Sequence, residues 1–353
     1  MKMSTKIITP QAANMRKFEE IRIPVPWGHI AGRWYGTKSV RPILALHGWL
    51  DNYGTWDTLI PLLPPHIGIL AIDMPGHGES SRLPDGIVYH GHDYLIDILR
   101  VMQLYNWNKV SIMAHSMCSM FAFVFAAYYP DRVDMLIQLD AIKPHYHSPE
   151  QTIILINGYM ESFLLEEKRN RDKYSEPPSY AYEEVVRRIH VGSNKSVDKD
   201  KCKHLIRTNV TKSTLYPAKY YFSRDSRLKG FLSFFESMES LIVMAKRIKI
   251  PHLVIKASRS HLINEVDDRI IDVLQDNNPY FEFHIIEGSH HVHLNNASET
   301  SILVNTFINK WKKPQAAADN VDNYANNDDG LKPQPQICPM KPQGMNFMQK
   351  AKL

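Results

Sequence analysis

The chain has 353 residues, 44% hydrophobic and 22% charged, with 42 basic against 37 acidic residues and a net charge of +5. This is ordinary globular composition, long enough for one large α/β domain or two small ones. The charge is mild and the basic residues form no stripe interleaved with aromatics, so no nucleic-acid partner is expected.

The cysteines Cys118, Cys202 and Cys338 are far apart and odd in number. They fit neither a disulfide framework nor a zinc site, and they point to a reducing compartment. Residues 1–19 are polar and lack an apolar h-region, so they read as a flexible N-terminus and not as a secretory signal. The most apolar run, Phe121 to Tyr129, falls far short of the roughly 20 residues that cross a bilayer, and no transmembrane segment is expected.

Elements follow in order. Glu20 to Tyr35 alternates around Pro24, Pro26 and Gly28 and reads as an antiparallel edge hairpin. Pro42 to Leu46, Ile67 to Ile72, Val110 to Met113 and Met135 to Leu139 are short buried-strand runs. Helical patterns lie between several of them. In Tyr94 to Leu104, Leu95, Ile98, Leu99 and Met102 share one face, and Met117 to Tyr128 is apolar throughout. The alternation breaks near Lys143 and resumes near Lys249, with strands at His252 to Ile255 and Phe281 to Ile286 and helices at Asp267 to Leu274 and Ser298 to Trp311. Alternating strands and helices predict parallel strands covered on both faces. Residues 20–142 and 249–312 therefore form the core. The charged, helical stretch 143–248 reads as a lid or cap above the carboxyl ends of the strands, where ligands bind in open α/β sheets. Residues 313–353, rich in Asn, Asp, Pro, Gln and Lys, are expected to be disordered, because so little apolar area cannot offset the entropy of ordering.

The chemistry concentrates at three turns. Lys109 to Met113 runs into Ala114-His115-Ser116-Met117-Cys118 and then into the apolar helix. Strand, sharp turn and helix are what a nucleophile elbow needs, with small residues two before and two after the serine. Here those are Ala114 and Cys118. The Met117 amide would point into an oxyanion hole. His47-Gly48-Trp49 follows an earlier strand and offers the Trp49 amide as the second donor. The turn Asp73 to Ser80 is Gly-rich and reads as loop-shaping. After the last strand, Glu287-Gly288-Ser289-His290-His291-Val292-His293-Leu294 supplies a base: His290 by its spacing, with His291 competing. A metal site there lacks a partner cluster and a standard zinc spacing, so no metal and no cofactor are expected.

Taken together, His47-Gly48-Trp49, Asp73-Met74-Pro75-Gly76-His77-Gly78, His115-Ser116-Met117 and Gly288 to Leu294 resemble the serine hydrolase-like proteins of animals, in the α/β-hydrolase superfamily. The resemblance covers roughly residues 20 to 312. It implies an α/β-hydrolase fold, with a mostly parallel central sheet, helices on both faces and a helical lid insert, and a serine hydrolase without a settled substrate. Superfamily members carry a Gly-x-x-Asp turn after the strand corresponding to His252 to Ile255. Here Ser260 stands where that acid would be. Asp140, ending the strand Met135 to Leu139, is the substitute favoured by chain order, with Glu265, Asp267 or no acid at all as alternatives.

The expected chemistry is cleavage of a small-molecule ester or thioester. Ser116 attacks, His290 takes its proton, Asp140 orients His290, the amides of Trp49 and Met117 hold the oxyanion, and water releases the acyl group. The competing expectation is a weak or inactive ligand-binding protein, supported by the displaced acid and by Ala114 and Cys118. A dehalogenase or epoxide hydrolase needs an Asp nucleophile at Ser116, and a cofactor-binding Rossmann domain needs a G-x-G-x-x-G that is missing. The final Ala351-Lys352-Leu353 is similar to the Ser-Lys-Leu tripeptide read by the peroxisomal import receptor. Peroxisomal localisation through that receptor is the corresponding expectation, otherwise cytoplasmic.

Overall fold

The computed structural model describes residues 16–170, 176–230 and 234–312. The expectations for 1–15 and for the tail 313–353, its Ala351-Lys352-Leu353 included, lie outside the described residues.

The first two strands, β1 (Phe18–Val25) and β2 (Gly28–Tyr35), form the antiparallel hairpin, with Phe18 opposite Tyr35 and Val25 opposite Gly28. Phe18 and Glu19, assigned from sequence to the N-terminal stretch 1–19, pair with Tyr35 and Trp34 of β2. The sheet continues with β3 (Ile43–Leu46), β4 (Ile69–Ile72), β5 (Val110–His115) and β6 (Val133–Leu139). A separate two-stranded ribbon, β7 (Val210–Lys212) and β8 (Tyr220–Phe222), lies inside the insert, and β9 (His252–Ala257) and β10 (Phe281–Ile286) complete the main sheet. The order is β1-β2-β4-β3-β5-β6-β9-β10; β1, β2 and β4 pair antiparallel and the remaining ladders are parallel. Ile-Leu-Ala-Leu in β3 and Ile-Leu-Ala-Ile in β4 are buried at every position. Such unbroken apolar runs need helices on both faces, and each Ile or Leu taken from water contributes about 1.5–3 kcal/mol.

The helices are α1 (Gly91–Leu104), α2 (Met117–Tyr128), α3 (Pro149–Asn170), α4 (Tyr182–Gly192), α5 (Cys202–Asn209), α6 (Met238–Arg247), α7 (Glu265–Asn277), the short α8 (Val292–Asn295) and α9 (Ala297–Trp311). On one face of the sheet Leu44 and Ile112 meet Ile98 of α1, Phe121 and Val124 of α2 and Ile270 of α7. On the other, Ile43, Ile69 and Ile137 meet Trp56 and Phe307 of α9. α2 is buried from Met117 through Ala127, as an all-apolar helix must be.

The stretch 143–248 is mostly helical but not uniform. α6 falls within it, yet Leu241, Met244 and Ala245 pack into the same core cluster as Phe121, so α6 completes the helical layer. The rest, α3 to α5 and the β7–β8 ribbon, carries its own small cluster of Val185, Val197, Cys202 and Leu205. Arg227 fastens this stretch to the core: it pairs with Asp225 at 2.7 Å and donates to the carbonyls of Leu83, Pro84 and Ile87. Among the described residues no helix is long and apolar enough to cross a membrane.

Candidate active site

The last strand residue of β5, His115, is followed by Ser116 at φ 53° and ψ −119° and then by α2. A non-glycine residue in the left-handed region costs of order 1–3 kcal/mol and persists only where the surroundings enforce it. Here β5 arrives through the sheet and α2 leaves through the core, so both arms of the turn are fixed. Ala114 and Cys118, the small residues around the serine, are fully buried. The turn thus closes with Ala and Cys where glycine is usual, both side chains packed into the core.

Three side chains from three chain segments meet above the sheet. His290 Nε2 is 2.8 Å from Ser116 Oγ, and His290 Nδ1 is 2.6 Å from Asp140 Oδ2. Asp140 directly follows β6, is fully buried at φ 52°, and its other oxygen, Oδ1, accepts from the Ala257 amide at 2.8 Å. That second bond locks the carboxylate so that Oδ2 faces the imidazole. A carboxylate accepts only, so Nδ1 carries the hydrogen and Nε2 presents its lone pair to the serine hydroxyl. Burial lowers the His290 pKa below the ordinary 6.5, and the hydrogen bond with Asp140 opposes that shift.

The His-Gly-Trp turn comes up against the nucleophile. A Cβ on Gly48 would lie 2.9 Å from His115 Nδ1 and 3.1 Å from Ser116 Cβ, so only glycine lets the backbone come this close. Trp49 follows directly in the same turn. Met117 is the first residue of α2, and its N–H has no acceptor within the helix.

A family profile described as alpha/beta hydrolase fold matches residues 41–171. A Drosophila melanogaster protein named "Probable serine hydrolase" is 33% identical over 282 residues, which is 78% of this chain and 83% of that protein. A "Serine hydrolase-like protein" of Danio rerio is 32% identical over 301 residues, 83% of this chain and 89% of that protein. The chain belongs to the serine hydrolase-like proteins of the α/β-hydrolase superfamily. A solved structure of a hypothetical protein from Pseudomonas aeruginosa PAO1 shares the fold, with TM-score 0.70 and 24% identity over 83% of this chain and 99% of that one. The thioesterase domain from the curacin biosynthetic pathway does so at TM-score 0.64 and 18% identity, over 82% of this chain and 99% of that one.

Within this serine hydrolase-like chain, the other residues weighed from sequence do different jobs. Asp267 is the N3 residue of a capping box on α7 and pairs with Lys143 Nζ at 2.6 Å, while Glu265 is exposed. The hydroxyl of Ser260 accepts from the Leu262 amide at 3.3 Å. His291 does not reach Ser116; its Nε2 lies 3.1 Å from Asp51 Oδ2. Asp73 accepts from the amides of Tyr53 and Glu79, and His77 Nε2 accepts from the Leu50 amide, so both shape loops.

Asp51 was not singled out from sequence. It lies buried beside His291 and His115. The expectation of no acidic partner for the histidine run is corrected here: the partner comes from the loop after β3, 240 residues away in sequence from His291. No local pattern announces it, because only the return of both loops to one end of the sheet brings them together.

Proposed function

We propose that this chain is a serine hydrolase that cleaves carboxylic esters or thioesters through an acyl-enzyme on Ser116. The observation that carries the reading is the continuous relay from Asp140 through both nitrogens of His290 to Ser116 Oγ, at 2.6 Å and 2.8 Å.

The steps follow from the geometry. His290 Nε2 removes the Ser116 proton as Oγ attacks the substrate carbonyl, and the imidazolium so formed is paired with Asp140. The amides of Trp49 and Met117 receive the oxyanion, the kind of preorganised donor pair whose members are each worth about 10²–10³ in kcat. His290 then protonates the leaving alcohol or thiol, and a water activated by the same nitrogen releases the acid. The insert is tied to the loop after β3: Trp49 Nε1 donates to the Leu228 carbonyl at 2.8 Å, and Asn52 Nδ2 to that of Leu205 at 2.8 Å. In this reading, specificity for the acyl or leaving group belongs to the part of the insert attached there, α3 to α5 and the β7–β8 ribbon, and not to α6, which packs in the core.

Labelling with a fluorophosphonate probe tests the reading. Active protein labels and a Ser116→Ala variant does not, while p-nitrophenyl esters and acyl thioesters scan the substrate class. Wild-type protein that never labels would instead favour a ligand-binding member of the family.

A further inference from the structure

The cluster of Asp51, His115 and His291 plays no part in the relay just described, and its hydrogens do not add up. His115 Nε2 lies 3.0 Å from the main-chain carbonyl of His290. A carbonyl only accepts, so Nε2 carries the hydrogen and Nδ1 of the neutral ring presents a lone pair. That Nδ1 is buried, has no hydrogen-bond partner, and lies 3.7 Å from Asp51 Oδ2.

His291 gives the same result by another route. Its Nδ1 is 2.8 Å from Ser196 Oγ, whose own hydrogen goes to the Ser193 carbonyl at 2.6 Å. The hydroxyl oxygen must therefore accept from Nδ1–H, and Nε2 of the neutral ring turns its lone pair toward Asp51 Oδ2 at 3.1 Å. Two nitrogen lone pairs and one carboxylate oxygen thus converge in a buried space, with no donor hydrogen among them. Buried acceptors in this arrangement repel one another unless a cation joins them.

We propose that Asp51, His115 and His291 form a binding site for a divalent transition metal, with zinc(II) the ion best suited to the donors. Two imidazole nitrogens and a carboxylate oxygen are a zinc donor set, and three protein ligands leave one position for water. Zinc bonds of about 2.0–2.1 Å in a tetrahedron put ligand atoms roughly 3.3 Å apart. Asp51 Oδ2 lies 3.1 Å from His291 Nε2 and 3.7 Å from His115 Nδ1, and all three ligand atoms lie within 4.8 Å of one another, so closing the site on an ion needs only small side-chain shifts. Supporting contacts also exist. Ser196 holds the far nitrogen of His291, and the His290 carbonyl holds that of His115, as outer-shell acceptors do for metal-bound imidazoles. The site adjoins the proposed relay but uses none of its hydrogen-bonding side-chain atoms, so its failure leaves the hydrolase reading untouched, and labelling of Ser116 tests that reading independently.

The test uses the full chain, stripped with a chelator, incubated with zinc sulfate, desalted and analysed for bound metal. Wild-type protein is expected to retain one zinc per chain. Asp51→Asn and His291→Gln lose that equivalent, and Ser196→Ala weakens binding about 10- to 100-fold. Wild-type protein that retains no zinc, or folded variants that retain as much as wild type, would overturn the site in favour of a proton shared between His291 and Asp51. If a variant fails to fold, wild-type crystals grown with zinc decide: an anomalous-scattering peak between the three ligand atoms supports the site, and its absence there rejects it.

Discussion

Asp140 and His290 are 150 residues apart in sequence, yet their side chains meet at 2.6 Å. The sheet order explains it. β6 and β9 are neighbours, so a carboxylate at the end of either strand reaches the same imidazole. Ser260 stands beyond β9 with no carboxylate, and Asp140 beyond β6 brings one to His290 from the adjoining position.

Replacing that carboxylate should be costly to turnover alone. Asp140→Asn keeps an oxygen for the Ala257 amide but no longer fixes the tautomer of His290, and kcat is expected to fall about 10⁴-fold. Glu265→Gln, at an exposed position on α7, should leave kcat unchanged. Steady-state ester hydrolysis by the two variants checks the assignment, and comparable losses in both would contradict it.

The pH profile follows from the burial of His290. As general base it must be neutral, and burial places its pKa below 6.5 while the bond with Asp140 raises it partway back. Activity is therefore low in acid and rises with pH, and the half-point of kcat/KM should fall below pH 6.5. Asp140→Asn removes the raising influence, so its residual activity should have a half-point lower still. A wild-type half-point above 6.5 would count against His290 as the base.

Gly48→Ala tests the oxyanion donors. The added Cβ would lie 2.9 Å from His115 Nδ1 and 3.1 Å from Ser116 Cβ. Neither neighbour can retreat, because His115 and the elbow are buried, so the turn carrying the Trp49 amide must shift. A loss of about 10²-fold in kcat is expected, with the fluorophosphonate reaction slowed in parallel. Unchanged kcat would mean that the Trp49 amide contributes nothing to the oxyanion.

The attachment of the insert can be weighed through Arg227. Its pair with Asp225 has side-chain exposures of 5% and 1%. Arg227→Leu leaves Asp225 buried without its partner and frees three carbonyls, which should cost about 3–5 kcal/mol. Chemical denaturation measures the loss, and a change under 1 kcal/mol would show that the insert is held by other contacts.

Much of this architecture was legible because local patterns encode it. Unbroken Ile-Leu-Ala runs specify buried parallel strands, and an all-apolar helix after Ser116 specifies a turn held from both sides. The four expected segments of the site return to one end of the sheet. What escaped were features set by distant packing. α6 reads as part of the insert because its amphipathic pattern does not say which surface it covers, yet Leu241 and Met244 join the main core. The acid partner of His291 escaped for the same reason: Asp51 sits in a loop whose sequence carries no histidine-binding signature. The short β7–β8 ribbon offers only three residues per strand, too few for alternation to show.

The bond from the Trp49 indole to the Leu228 carbonyl has a consequence for how such a protein can diversify. Under the proposed mechanism, the residue whose amide receives the oxyanion is also the one that grips the insert, so substrate choice and turnover would be mechanically coupled. Exchanging inserts between relatives would move this anchor along with the new pocket. Chimaeras and insert-directed libraries should therefore show selectivity and turnover changing together, and the two become separately tunable only once Trp49 is released from Leu228.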